Sequence, residues 1–85
     1  MSKSLLLSVV IPVCNDAPGI TALLGSLHGL LRDDIEVLVT DDASTDATVE
    51  CVQAYPWVHL LRHDVRRGAA AARNTGAAAA RGKAL

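Results

Sequence analysis

The stretch Val37 to Asp46, Val-Leu-Val-Thr-Asp-Asp-Ala-Ser-Thr-Asp, constrains this chain more than any other. Val37 to Thr40 is a charge-free run rich in β-branched residues, which suits a strand buried on both faces. Two adjacent carboxylates, Asp41 and Asp42, follow it. An unpaired buried carboxylate carries a large desolvation cost, so both are expected where the strand leaves the core. In an open parallel sheet that edge, at the carboxyl ends of the strands, is where ligands bind. Ser44, Thr45 and Asp46 are all good helix N-caps, so a helix should start soon after the acidic pair.

The rest of the chain supplies the partners such a strand needs. Leu5 to Ile11 reads as a first strand, nearly all apolar and therefore central and parallel. Pro12 has no amide donor and should end its pairing. Asn15 or Asp16 can cap the next helix, with Pro18 in its first turn. There Ile20, Leu23, Leu24, Leu27, Leu30 and Leu31 recur at helical steps and form one apolar stripe. Arg32-Asp33-Asp34 is a polar turn at the rim opposite Asp41 and Asp42. Ile35 to Thr40 is the second strand. Thr48 to Tyr55 is a short helix with Val49, Val52 and Ala54 inward, stopped by Pro56. Trp57 to Leu61 is a third strand, Arg62 to Gly68 a basic loop, and Ala69 to Arg81 an alanine-rich helix ended by Gly82. This β-α-β-α-β-α order predicts a three-layer α/β half-Rossmann arrangement with a parallel three-stranded sheet. Right-handed crossovers then bring the three strand ends to one rim. Asn15-Asp16, Asp41-Asp42 and His63-Asp64 collect there, beside Arg66 and Arg67.

Composition narrows the function. Of 85 residues none is Phe, one is Trp and one is Tyr, so few side chains bring a large buried area. A chain this short buries only about 60–65% of its unfolded surface, which points to part of a larger α/β domain. The net charge of −1 favours neither nucleic acid nor an anionic membrane. Its distribution is uneven, about −6 over residues 1–61 and +5 over residues 62–85. Either solvated faces differ in sign by chance, or a cleft sets carboxylates opposite guanidinium groups, as a metal–diphosphate ligand would require. Cys14 and Cys51 show no ligand spacing and read as reduced core thiols. His28, His59 and His63 form no metal motif and read as surface or strand-edge residues. The apolar run after Lys3 is short, contains Pro12 and lacks a cleavage site, so an opening strand explains it better than a signal peptide. No run approaches the ~20 apolar residues of a membrane span. A P-loop, a Gly-x-Gly-x-x-Gly turn and a Gly-x-Ser-x-Gly elbow are all missing. A bound nucleotide would therefore be held by carboxylates and backbone.

Three motifs carry a resemblance. Leu7-Ser8-Val9-Val10-Ile11-Pro12-Val13-Cys14-Asn15-Asp16 resembles the opening segment of family 2 glycosyltransferases of the GT-A fold. Val37 to Thr48 is similar to that family's strand with the Asp-Asp-Gly-Ser-Thr-Asp loop. Arg67-Gly68, Ala72-Arg73-Asn74-Thr75-Gly76 and Ala80-Arg81-Gly82 resemble its Gly…Ala-Arg-Asn-x-Gly…Ala-x-Gly segment. The motifs stand in the family's order and cover nearly the whole chain. Cys14 departs from the usual aromatic, Ala43 from the usual glycine, and Arg66 from a frequent asparagine.

The resemblance implies that residues 1–85 are the N-terminal nucleotide-sugar-binding part of a GT-A glycosyltransferase domain. Asp42 would accept the N3–H of a uracil-like base, with Asp41 and the Pro12–Val13 backbone shaping the base pocket. Asp16 would line the donor site and Arg67 would lie near the diphosphate. Arg73 and Asn74 have a packing or a ligand role. The complete enzyme would transfer a sugar from a nucleoside diphosphate donor, UDP-linked, to an acceptor hydroxyl on a saccharide or lipid, with inversion. It would use a divalent metal, Mg or Mn, whose Asp-x-Asp ligands and acceptor half follow these motifs and are not in this chain. The expected location is the cytoplasm, with peripheral docking at the inner face of the membrane left open. The alternative is a non-catalytic nucleotide-binding or assembly module, forming a homo-oligomer through an exposed sheet edge. A nucleotidyltransferase of similar fold is a weaker third reading, because no glycine- and arginine-rich loop follows the first strand.

Overall fold

A computed structural model describes residues 7–85. The elements run β1 Leu7–Val13, α1 Ala17–His28, β2 Ile35–Asp42, α2 Thr48–Gln53, β3 Val58–His63, α3 Ala69–Ala79 and β4 Lys83–Ala84. Leu5 and Leu6, read as the opening of the first strand, lie outside the described residues.

The sheet is parallel throughout, in the order β3-β2-β1-β4. The register sets Val9 beside Val37 and Val39 beside Leu60. Side chains alternate across the two faces. On one face Val37 and Val39 pack with Ile20 and Leu24 of α1 and Val52 of α2, with Val9, Ile11 and Val13 around them. Leu38, fully buried, lies on the other face, which α3 covers. Small residues let α3 approach closely: Ala72 is buried, and a Cβ added at Gly76 would lie 2.5 Å from Val10 Cγ1. Asp16 caps α1, its Oδ1 accepting from the Gly19 amide at 3.1 Å. Leu30 of the apolar stripe is 70% exposed, because α1 ends at His28 and the chain turns away.

The structure corrects the sequence reading at several points. The sheet has four strands where three were predicted. β4 is too short to show a periodicity, and α3 stops at Ala79, two residues before Arg81. Pro12 does not end β1, since it stands in register with Thr40. Successive amides of a strand point to opposite sides. The Val10 amide faces β4, where it donates to Leu85 O at 3.1 Å. The side where Pro12 lacks a donor is therefore the side beyond Leu85, an unpaired edge among the described residues. β2 runs two residues further than predicted, so Asp41 and Asp42 are its last residues and both are buried. β3 extends to His63; of the surface and strand-edge alternatives the second holds, since His63 is buried at the end of this outer strand. Ala54 is exposed beyond the end of α2. No helix among the described residues is long and apolar enough to cross a membrane.

Candidate functional site

The carboxyl ends of β1, β2 and β3 share one edge, with the loops after them above it. The pleat sends Asp41 and Asp42 to opposite faces of the sheet. Their partners differ accordingly.

Asp41 braces the loops. Its carboxylate accepts from the Ser44 amide at 3.1 Å and from the Ser44 hydroxyl. Ser44 Oγ in turn accepts from the Asn15 amide at 2.8 Å. Asn15 Oδ1 accepts from the amides of Thr45 at 2.7 Å and Asp46 at 3.3 Å. The Asp16 amide donates to Thr48 Oγ1 at 3.0 Å, and Asp46 Oδ1 accepts the Thr48 amide at 2.9 Å. The Thr48 hydroxyl and amide lower the pKa of Asp46 against the opposing effect of desolvation. This network sets Asn15 and Ala43 in the left-handed region, at φ 49° and 58°. Asparagine tolerates that conformation; alanine does so at a cost.

Asp42 faces the start of α3. Oδ1 accepts from His63 Nδ1 at 2.9 Å and from the Arg67 amide at 2.8 Å. Oδ2 accepts from the Gly68 amide at 2.8 Å. Gly68 adopts φ 97°, which an L side chain would resist, and this turns both amides toward the carboxylate. The Arg67 amide, then the His63 hydrogen bond, lower the pKa of Asp42 to about 2 against the opposing effect of burial, with the Gly68 amide adding to them. Asp42 is thus ionised throughout the physiological range. His63 Nε2 lies 2.8 Å from Thr75 Oγ1 on α3.

A small open cleft of about 80 Å³ lies between Pro12, Val13, Cys14, Asp42, Ala69 and Ala72. Its walls are apolar apart from Asp42 and Cys14. A full ligand pocket has about 300–1,000 Å³, so this cleft accommodates part of a ligand.

The predicted site residues thus fall into two groups. Pro12, Val13 and Asp42 line one cleft, and Arg67 joins them through its backbone. Arg67 is exposed and its guanidinium forms no ion pair with the described residues. Asp41 and Asp16 belong to the loop network, Asp41 fully buried and Asp16 exposed at the N-cap of α1. The basic half of the chain does not gather at this edge as a unit. Arg81 lies at the opposite rim, its Nε 3.6 Å from Glu36. The sequence reading placed His63 at this rim and Gly68 and Thr75 in the third motif, but foresaw none of their links to Asp42 and to each other. The signal for His63 was the strand register, which sets it directly beside Asp42 once β3 is carried two residues past Leu61. The described residues hold no group of three or more His, Cys, Asp or Glu that could bind a metal ion.

The sequence profile described as "Glycosyl transferase family 2" matches residues 8–85. The chain belongs to that family. It is 45% identical over 75 residues to the pre-mycofactocin glycosyltransferase of Mycobacterium tuberculosis, covering 85% of this chain and 15% of that protein. A mannosyltransferase from Pyrobaculum calidifontis, solved with GDP-Man and Mn2+, superposes with a TM-score of 0.77 at 35% identity, over 87% of this chain and 24% of that one. TarS of S. aureus in complex with UDP superposes with a TM-score of 0.86 at 30% identity, over 95% of this chain and 26% of that one. The chain spans about a quarter or less of the length of these family 2 proteins. The GT-A resemblance read from the three motifs therefore holds for the fold.

Proposed function

We propose that these residues form the donor-nucleotide part of a glycosyltransferase that moves a sugar from a nucleoside diphosphate donor, uridine-linked, to an acceptor hydroxyl. The observation that carries this reading is the ionised Asp42 carboxylate at the wall of an otherwise largely apolar cleft, at the carboxyl edge of a parallel sheet. Pro12, Val13 and Ala72 offer the flat apolar surface a base needs, and Asp42 accepts a ring N–H. Arg67, exposed beside the start of α3, reaches toward the diphosphate. Asp41 and Asp16 contribute by fixing the two loops that frame the cleft. A structural neighbour holds Mn2+ with its sugar nucleotide, and a divalent metal is proposed for the whole enzyme as well. The described residues provide no ligand set for it. Among the described residues β3 is an outer strand of the sheet, and its outer side is the surface through which a second copy would pair.

Calorimetric titration with UDP, GDP and CDP, with and without Mn2+, tests the donor site. A charge-assisted hydrogen bond contributes ~1.5–3 kcal/mol, so Asp42→Asn is expected to weaken UDP binding ~10- to 150-fold. Unaltered UDP affinity in that variant would remove Asp42 from the site.

A further inference from the structure

We propose that His63, pinned by Thr75, sets the base selectivity of the donor site by leaving Asp42 one acceptor position. This rests on the donor-site reading above and deepens it.

An ionised carboxylate offers about four acceptor positions. On Asp42 three are filled by the chain itself. Oδ1 takes His63 Nδ1–H and the Arg67 amide, and Oδ2 takes the Gly68 amide. The one remaining position is on Oδ2. A uracil-type base presents a single ring N–H between two carbonyls and matches that vacancy. Guanine presents N1–H and N2–H side by side, a pair that needs one acceptor on each carboxylate oxygen. With Oδ1 full, its second donor would enter the cleft unpaired, at the cost of any desolvated polar group. Cytosine presents an unprotonated ring nitrogen where a donor is needed.

His63 is the member of this set that is a side chain, and it is placed by a second element. The carboxylate only accepts, so Nδ1 carries the proton. Nε2, on the far side of the ring, shares a hydrogen bond with the Thr75 hydroxyl across 2.8 Å. The ring is buried between β2 and α3, which prevents it from swinging away and freeing Oδ1. His63 is thus a positioning residue, acting on the ligand through Asp42.

The test is the ratio of GDP to UDP dissociation constants, measured by calorimetry on the whole chain with Mn2+ present throughout. A general loss of stability weakens both nucleotides and cancels in this ratio. The unaltered chain should favour UDP at least tenfold. His63→Ala frees a position on Oδ1 and should narrow the ratio about tenfold. His63→Asn, whose amide nitrogen sits where Nδ1 does, should restore it. Thr75→Val should narrow it by a smaller factor, and serves as the measurement if His63→Ala does not fold. A ratio unchanged in His63→Ala or Thr75→Val, or a native preference for GDP, would overturn the proposal and leave the donor site standing. Failure of the unaltered chain to bind either nucleotide would overturn both.

Discussion

Helix α3 is held at its two ends by carboxylates from the same face of β2, and the two ends differ in what is left over. At the first end Asp42 takes the Arg67 and Gly68 amides. At the other, Glu36 Oε2 takes the Arg81 amide at 2.6 Å and the Gly82 amide at 3.3 Å. Around Glu36 the structure closes. The buried Ser8 hydroxyl donates to it at 2.6 Å, Gly82 packs against the Leu7 backbone, and β4 pairs alongside. Burial raises the pKa of Glu36, but the Ser8 hydroxyl, the Arg81 and Gly82 amides and the Arg81 guanidinium more than offset this, and it lies below the usual 4.5. Around Asp42 the neighbouring strand ends in Pro12 and Val13, and a cleft opens. The same device is a closed joint at one end and the wall of an open cleft at the other. What separates them is the cleft that opens beside Asp42, not the presence of a carboxylate.

Mutating the two ends in parallel would break this comparison most directly. Asp42→Ala strands a buried histidine and the helix-start amides, and should cost about 3–5 kcal/mol in chemical denaturation. It should also abolish measurable UDP binding. Glu36→Ala leaves Gly82 its bond to Ser8 Oγ and exposes the Arg81 amide to water, so about 1–3 kcal/mol is expected. UDP affinity per folded molecule should not change. Equal effects of both variants on binding would show that the cleft depends on α3 docking alone.

Acid titration sharpens the same contrast. Both carboxyls are depressed in the fold, Asp42 from 3.8 to about 2 and Glu36 below 4.5. The unfolded chain therefore takes up protons first as pH falls. Their stabilisation is complete above pH 4.5 and fades as pH drops toward 2. Melting temperature followed over that range should fall continuously. Glu36→Gln should flatten the upper part of the curve, and Asp42→Asn the part nearest pH 2.

The smallest expected effect lies in the loop that Asp41 braces. Ala43 at φ 58° occupies a conformation glycine adopts freely. Ala43→Gly should stabilise the chain by about 0.5–1 kcal/mol, read as a small rise in melting temperature. UDP binding should be unaffected, because Ala43 does not line the cleft.

The elements whose side chains repeat along their length were legible before the structure. The leucine stripe of α1 and the β-branched run of β2 announce their own periods, and the parallel order follows from the helices between strands. Elements defined by one or two residues were not. β4 contributes Lys83 and Ala84, too few for any period. Pro12 misled because its missing amide matters only on a side that has a partner. The acidic pair does end its strand at the carboxyl edge of the sheet, yet its division of labour depends on the pleat. Neighbouring carboxylates look alike in one dimension, while Asp41 braces loops and Asp42 meets the cleft. The contacts of His63 to Asp42 and Thr75 join three separate elements, and no local pattern encodes them.

Two anchors on a rigid strand also act as a ruler. Glu36 and Asp42 are six pleated residues apart, ~20 Å. The 11 residues of α3 rise ~16 Å, and the short turns at each end make up the difference. Inserting or deleting a single residue within α3 would rotate its remaining turns by about 100° and carry Ala72 or Gly76 off the sheet. Length variation should therefore be tolerated in the 30–34 turn and excluded between Gly68 and Gly82.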